Sequence, residues 1–325
     1  MRLDDLIIFV VVFGSMGAAI WVPDLGTVFH PCLLHLMMLL LFLSFLKMDF
    51  ASLVVRSWTG LSRLAFLASI KLVLLPVILY WTTLALIPDF AIPVLLLTGM
   101  STGVVAPFMG SLVGANIVTV LRMVMVTSLA VPFSLPALVK VLAGAEVTIS
   151  LWEMMRMLAL VIFLPMVLVT VLRRTAPGTL AKINKHQFPI SMVLFSLVNL
   201  GVFSKYSSYF FSNPIQILVS AGVAYVLSVI YYLTGFAVAI RWEAAQRLAA
   251  GISIAIMNNV LVIVFSAEFF GPLSPTLAAL YMFPYYTMIV PVKLMGQRMY
   301  THSSSRAVGT RCLVVVGFFR SCSSS

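Results

Sequence analysis

Runs of about 20 mostly apolar residues recur along this chain, the length a helix needs to cross a bilayer's hydrocarbon layer. Short polar or Gly/Pro-rich turns separate them. The runs lie near residues 5–23, 29–46, 64–87, 91–112, 115–138, 149–172, 188–204, 214–240, 248–270 and 273–297. They predict an all-α membrane protein with ten transmembrane helices. Hydrophobic residues make up 62% of the 325 and charged residues 9%. So few charges cannot clothe a water-facing surface, which excludes a soluble enzyme, a disordered chain and a nucleic-acid module. The first run lacks a small-residue cleavage site before a soluble chain, so it reads as a helix that stays.

Ten spans place both termini on one side. With the N-terminus inside, the inner segments hold Arg2, Lys47, Arg56, Arg63, Arg173, Arg174, Lys182, Lys185, Arg241, Arg247, Arg298, Arg306, Arg311 and Arg320. The outer loops hold Lys140 and Lys205. Excess Lys/Arg marks the cytoplasmic side, so both termini are expected in the cytoplasm and the protein in a cytoplasmic (inner) membrane. The net charge of +11 is read against the bilayer rather than nucleic acid. The run Arg173 to His186 reads as a cytoplasmic loop. Residues 301–325 read as a disordered cytoplasmic tail, because the apolar stretch Leu313 to Phe319 is too short to span. Cys32, Cys312 and Cys322 have neither metal spacing nor a disulfide framework.

The spans divide into two fives, 1–143 and 144–300. An odd number per half gives the halves opposite topology, the layout of inverted-repeat carriers. The fourth span holds Gly99, Ser101, Thr102, Gly103, Pro107 and Gly110 at mid-membrane. The corresponding ninth span holds Gly251, Ser253, Asn258 and Asn259. Backbone that breaks at membrane depth is tolerated where it lines a cavity, and matched breaks in two halves point to a midplane binding site. Close helix packing at glycine is the plainer alternative. His30 and His35 are five apart, off the spacing of a shared metal face, and read as packing or interface residues. Glu153 and Arg156, at i and i+3, read as a surface pair. No catalytic, metal or cofactor role is expected.

Four stretches, in order, resemble one family. Leu46-Lys47-Met48-Asp49-Phe50 closes the second span. Lys71-Leu72-Val73-Leu74-Leu75-Pro76 lies in the third, Ala115 to Pro132 in the fifth, and Met257-Asn258-Asn259 in the ninth. Together they resemble the bile acid:sodium symporter family over residues 5–297. That resemblance implies a core domain of spans 3–5 and 8–10, with broken, crossing helices 4 and 9. It also implies a panel domain of spans 1, 2, 6 and 7 that moves against the core. Positions that hold sodium in the family are here Ala106, Pro107, Val120, Val124 and Ile254, which offer no side-chain oxygen, and Lys71. Only Asn258-Asn259 survives in kind, so the family's sodium coupling is expected to be lost. The related arsenite carriers have a glutamate where Leu261 stands and a cysteine in the fourth span, where residues 91–112 hold none.

Lys71 and Arg122 lie roughly 10 Å inside their spans, at 1.5 Å per residue. Intramembrane cations face a cavity or partner unless they snorkel to the interface. The expectation is a secondary transporter of a small organic anion, carboxylate-like, working by alternating access. Ser101, Thr102, Gly103, Pro107, Asn258 and Asn259 would bind the substrate, and Lys71 and Arg122 would supply charge and coupling. The expected partners are that anion and the bilayer. Alternatives are a conventional sodium-coupled bile acid or organic anion symporter, an auxin-efflux-type or arsenite carrier, and a non-transporting membrane receptor.

Overall fold

The computed structural model describes residues 3–46, 58–144 and 149–299. The 301–325 tail with Cys312 and Cys322, and most of the Leu46–Phe50 motif, lie outside the described residues. The described chain is helical throughout, apart from turns and one isolated backbone bridge. It is an all-α, multi-pass membrane protein. Among the described residues six helices are long and apolar enough to cross a bilayer, or seven if a pair bent by 42° counts as one.

Ten apolar segments follow in chain order. They are α1 (Leu3–Trp21), α2 (Leu33–Leu46) and α3 (Trp58–Leu86), then α4a (Ala91–Thr98) and α4b (Ala106–Val113). Next come α5 (Ile117–Leu142), α6 (Leu151–Thr175), α7 (Gln187–Lys205) and α8 (Pro214–Val238). The last are α9a (Ala244–Ala255) and α9b (Asn259–Phe269), and α10a (Leu273–Thr287) with α10b (Ile289–Met299). The segments expected to break do break, at residues 99–105 and 256–258. Each half-helix is too short to span alone, which is why neither passes as a spanning helix by length.

Packing repeats between the halves. Helix α3 packs on α4a as α8 packs on α9a, and α4b on α5 as α9b on α10a. The same exchange relates α3·α5 to α8·α10a, α10a·α4a to α5·α9a, and α1·α7 to α6·α2. Helices α1, α2, α6 and α7 pack on one another through α1·α7, α2·α6 and α2·α7, and α5 packs on α6 as well. Helices α8 and α9a approach at glycine: a Cβ on Gly235 would lie 2.6 Å from the Gly251 Cα. No hydrophobic force joins helices in lipid, so small residues that admit close packing do that work.

One local departure was not anticipated. Helix α3 contains a π turn over Ile70–Leu74, with the Leu75 N–H reaching back to the Ile70 carbonyl. Pro76 cannot donate to the carbonyl four residues before it, and the wider turn absorbs that missing bond. The turn also rolls Lys71 into the protein.

Candidate functional site

The two broken stretches meet. Thr102 and Met257 form an antiparallel bridge. The Gly103 N–H donates to the Ile256 carbonyl at 2.9 Å, and the Asn258 N–H donates to the Ser101 carbonyl at 3.0 Å. Each break therefore satisfies backbone groups that the other leaves open, as a non-aqueous surrounding demands. Gly103 is required by closeness: a Cβ there would sit 2.4 Å from the Met257 carbonyl oxygen.

Side chains close the remaining helix ends. The Thr102 N–H donates to Thr127 Oγ1 at 3.0 Å, and Thr102 Oγ1 donates to the Ser253 carbonyl at 2.7 Å. Three buried tyrosines address carbonyls at the half-helix termini. Tyr231 donates to Thr98, and Tyr281 to Ala255. The Tyr285 hydroxyl bridges the Met257 backbone N–H and carbonyl, and lies 2.9 Å from Asn259 Oδ1. Four carbonyls at each helix C-terminus lack intrahelical partners, and in lipid no water replaces them.

Lys71 is fully buried. Its Nζ donates to the Ile254 carbonyl at 2.7 Å, approaches Met257 Sδ at 3.1 Å, and lies 5.7 Å from the centre of the Tyr231 ring. Ile254 is the penultimate residue of α9a, so the Lys71 amino group sits at the negative end of that half-helix dipole. Helix α3 is thereby tied to the break in α9.

On the other side of the crossing is a cavity of 120 Å³ lined by Gly103, Met257, Asn258, Asn259, Tyr285 and neighbours. It adjoins one of 380 Å³ that reaches Leu40 and Ser44 of α2, Pro107 of α4b and Gln187 of α7. The two share Val104, Val105, Met192, Phe195 and Val260. Three buried polar atoms at the crossing have no hydrogen-bond partner: Ser101 Oγ, Ser253 Oγ and Asn259 Nδ2. Such groups cost roughly 1–3 kcal/mol each when left unsatisfied; Asn259 lines the 120 Å³ cavity, whereas Ser101 and Ser253 line neither cavity.

Of the expected site residues, Ser101, Thr102, Gly103, Asn258 and Asn259 converge on the crossing, and Pro107 opens α4b beside it. Lys71 meets the crossing from behind and lines neither cavity. Arg122 lines neither cavity and is half-buried on α5, beside the cavity residue Leu121. Thr127, Tyr231, Tyr281 and Tyr285 were not anticipated. A tyrosine hydroxyl within an apolar helix needs a buried partner, and that was their only signal in the sequence. His30 and His35 line a third cavity, of 540 Å³. Among the described residues no group of three or more His, Cys, Asp or Glu could hold a metal. Comparison with family models finds no match, and comparison with curated proteins finds none either.

Proposed function

We infer that this protein is a secondary carrier for a small organic anion of carboxylate type, built as two inverted five-helix repeats of ten spans. The observation that carries the reading is the pairing of the two breaks at Thr102 and Met257. Interrupted helices that cross at matching positions of two halves form the substrate sites of inverted-repeat carriers. The five pairs of packing contacts that match on exchange of helices five places apart support the repeat. In this reading α1, α2, α6 and α7 form one helix group, the panel domain, and the rest form a second, the core domain, as the likeness to bile acid:sodium symporters implies.

In this reading the Lys/Arg-rich segments and both termini face the cytoplasm. The 380 Å³ cavity, at the ends of α2 and α7 that carry Ser44 and Gln187, then opens inward. The Asn259 Nδ2 donor and the broken-helix ends would hold the anion. Lys71 would occupy the place of a coupling cation. Carbonyls at half-helix C-termini coordinate such ions in carriers, and here an ammonium already sits on one. Transport would then proceed without sodium.

A second reading, the conventional sodium symporter, is favoured by one observation. The partnerless Ser101 and Ser253 hydroxyls could serve as cation ligands. One experiment separates the two: uptake of a panel of small carboxylates by proteoliposomes, with sodium or choline outside. Sodium-independent uptake that disappears in the Asn258→Ala/Asn259→Ala protein is expected, with the variant still folded. Uptake that requires sodium selects the second reading. Normal transport by the double variant removes the crossing as the site.

A further inference from the structure

The 540 Å³ cavity lies at the far end of α9b from the crossing. Its walls are His30, Leu34 and His35 at the start of α2, Met157 of α6, Lys205 of α7, and Val264, Ala267 and Glu268 of α9b. It is thus bounded by both helix groups, as the cavities at the crossing are. The two sides are close. Val260 faces the cavities at the crossing and Val264 faces this one, a single helical turn along the same helix. At the level between them Met37 of α2 and Val198 and Val202 of α7 are buried to 1% exposure or less. Apolar side chains therefore separate the two sides.

Charge on this side is arranged about Lys205. Its Nζ lies 3.4 Å from the Ala267 carbonyl, a long contact, and 5.7 Å from the Tyr206 ring centre. Tyr206 donates to that carbonyl at 3.1 Å. Burial, and then the Glu268 carboxylate, push the Tyr206 hydroxyl up from its ordinary value, so it remains a donor. The Ala267 carbonyl takes one of the three Lys205 donors, which leaves the other two to a solute. His30 is engaged with Ser204 at 2.9 Å. Glu268 is the one acidic side chain on this cavity's wall.

We propose that this cavity is a second binding site for a small carboxylate, the outward vestibule of the transport path, with Lys205 as the residue that selects the anion. The proposal rests on the carrier reading above. Neither histidine is required to be charged, and Glu268 sets the lower bound on the selectivity.

The test uses the full chain in intact cells, with Cys32, Cys312 and Cys322 replaced by serine and one cysteine introduced by Val264→Cys or Val260→Cys. The probes are two membrane-impermeant thiosulfonates, one bearing a sulfonate and one a trimethylammonium. Val264→Cys should react from outside and Val260→Cys should not. Adding Lys205→Gln to Val264→Cys should lower the sulfonate-to-ammonium rate ratio about five-fold at low salt, as loss of one nearby charge requires. Lys205→Arg should preserve the ratio and shows that the fold is intact. A ratio unchanged by Lys205→Gln overturns the anion site but leaves the carrier standing. Val264→Cys that reacts only from the cytoplasmic side, in inverted vesicles, overturns the vestibule together with the proposed orientation. Val264→Cys that reacts from neither side overturns the vestibule alone.

Discussion

Lys71 illustrates a cost that must have a return. A lysine out of water is expensive, and its partners are a carbonyl, a thioether and an aromatic face rather than a carboxylate. If its value lies in tying α3 to the end of α9a during transport, stability should not depend on it. Lys71→Met fills similar space and removes the desolvation penalty. It should melt at or above the wild-type temperature, a gain of up to about 1–4 kcal/mol, while uptake falls at least ten-fold. A lower melting temperature, or normal uptake, would make the lysine a purely structural or an idle residue. Its depth in the span was legible, but the direction it faces was not. The π turn at Ile70–Leu74 sets that direction, and a turn of that kind depends on packing around Pro76 that no local pattern encodes.

The broken helices were the most legible elements. Glycine, proline and hydroxyl residues in the fourth span, and adjacent asparagines in the ninth, cannot sit in an uninterrupted apolar helix without some satisfaction of their polar groups. What could not be read is how those groups would be satisfied, because tyrosines from α8 and α10a supply the partners at long range. The contact of the two breaks gives a sharp test. Gly103→Ala drives a methyl into the Met257 carbonyl and should cost roughly 1–3 kcal/mol, typical of overpacking, and lose transport. Gly222→Ala, with nothing within 4 Å of its new methyl, should be stabilising by about 0.5–1 kcal/mol because alanine is the better helix residue. The two melting temperatures, measured side by side, check both. Equal stability of the two variants would mean that the breaks do not touch as described.

At the scale of the molecule, an all-α membrane protein was legible in the apolar runs, since burial in lipid imposes a length that sequence displays directly; among the described residues six or seven helices reach that length. Which helices neighbour which was not legible, because helix neighbours in a membrane are chosen by shape rather than hydrophobicity. Orientation rests on charge. A cysteine placed in the 174–186 segment should resist the sulfonate reagent in intact cells and react in inverted vesicles. Labelling from outside would reverse the topology.

The single turn of α9b between Val260 and Val264 has an electrical consequence. Water-filled cavities conduct, so a membrane voltage falls almost wholly across whatever dry layer separates them. A charge worth about 2.3 kcal/mol per 100 mV over the full bilayer would collect most of that energy in passing one helical turn. A carboxylate carried without a compensating cation should therefore produce a current whose rate changes steeply with voltage, although the solute and the helices around it shift only a few ångströms. Recording transport currents from proteoliposomes on a supported membrane tests this. Electroneutral uptake would show that another ion crosses the same turn with it.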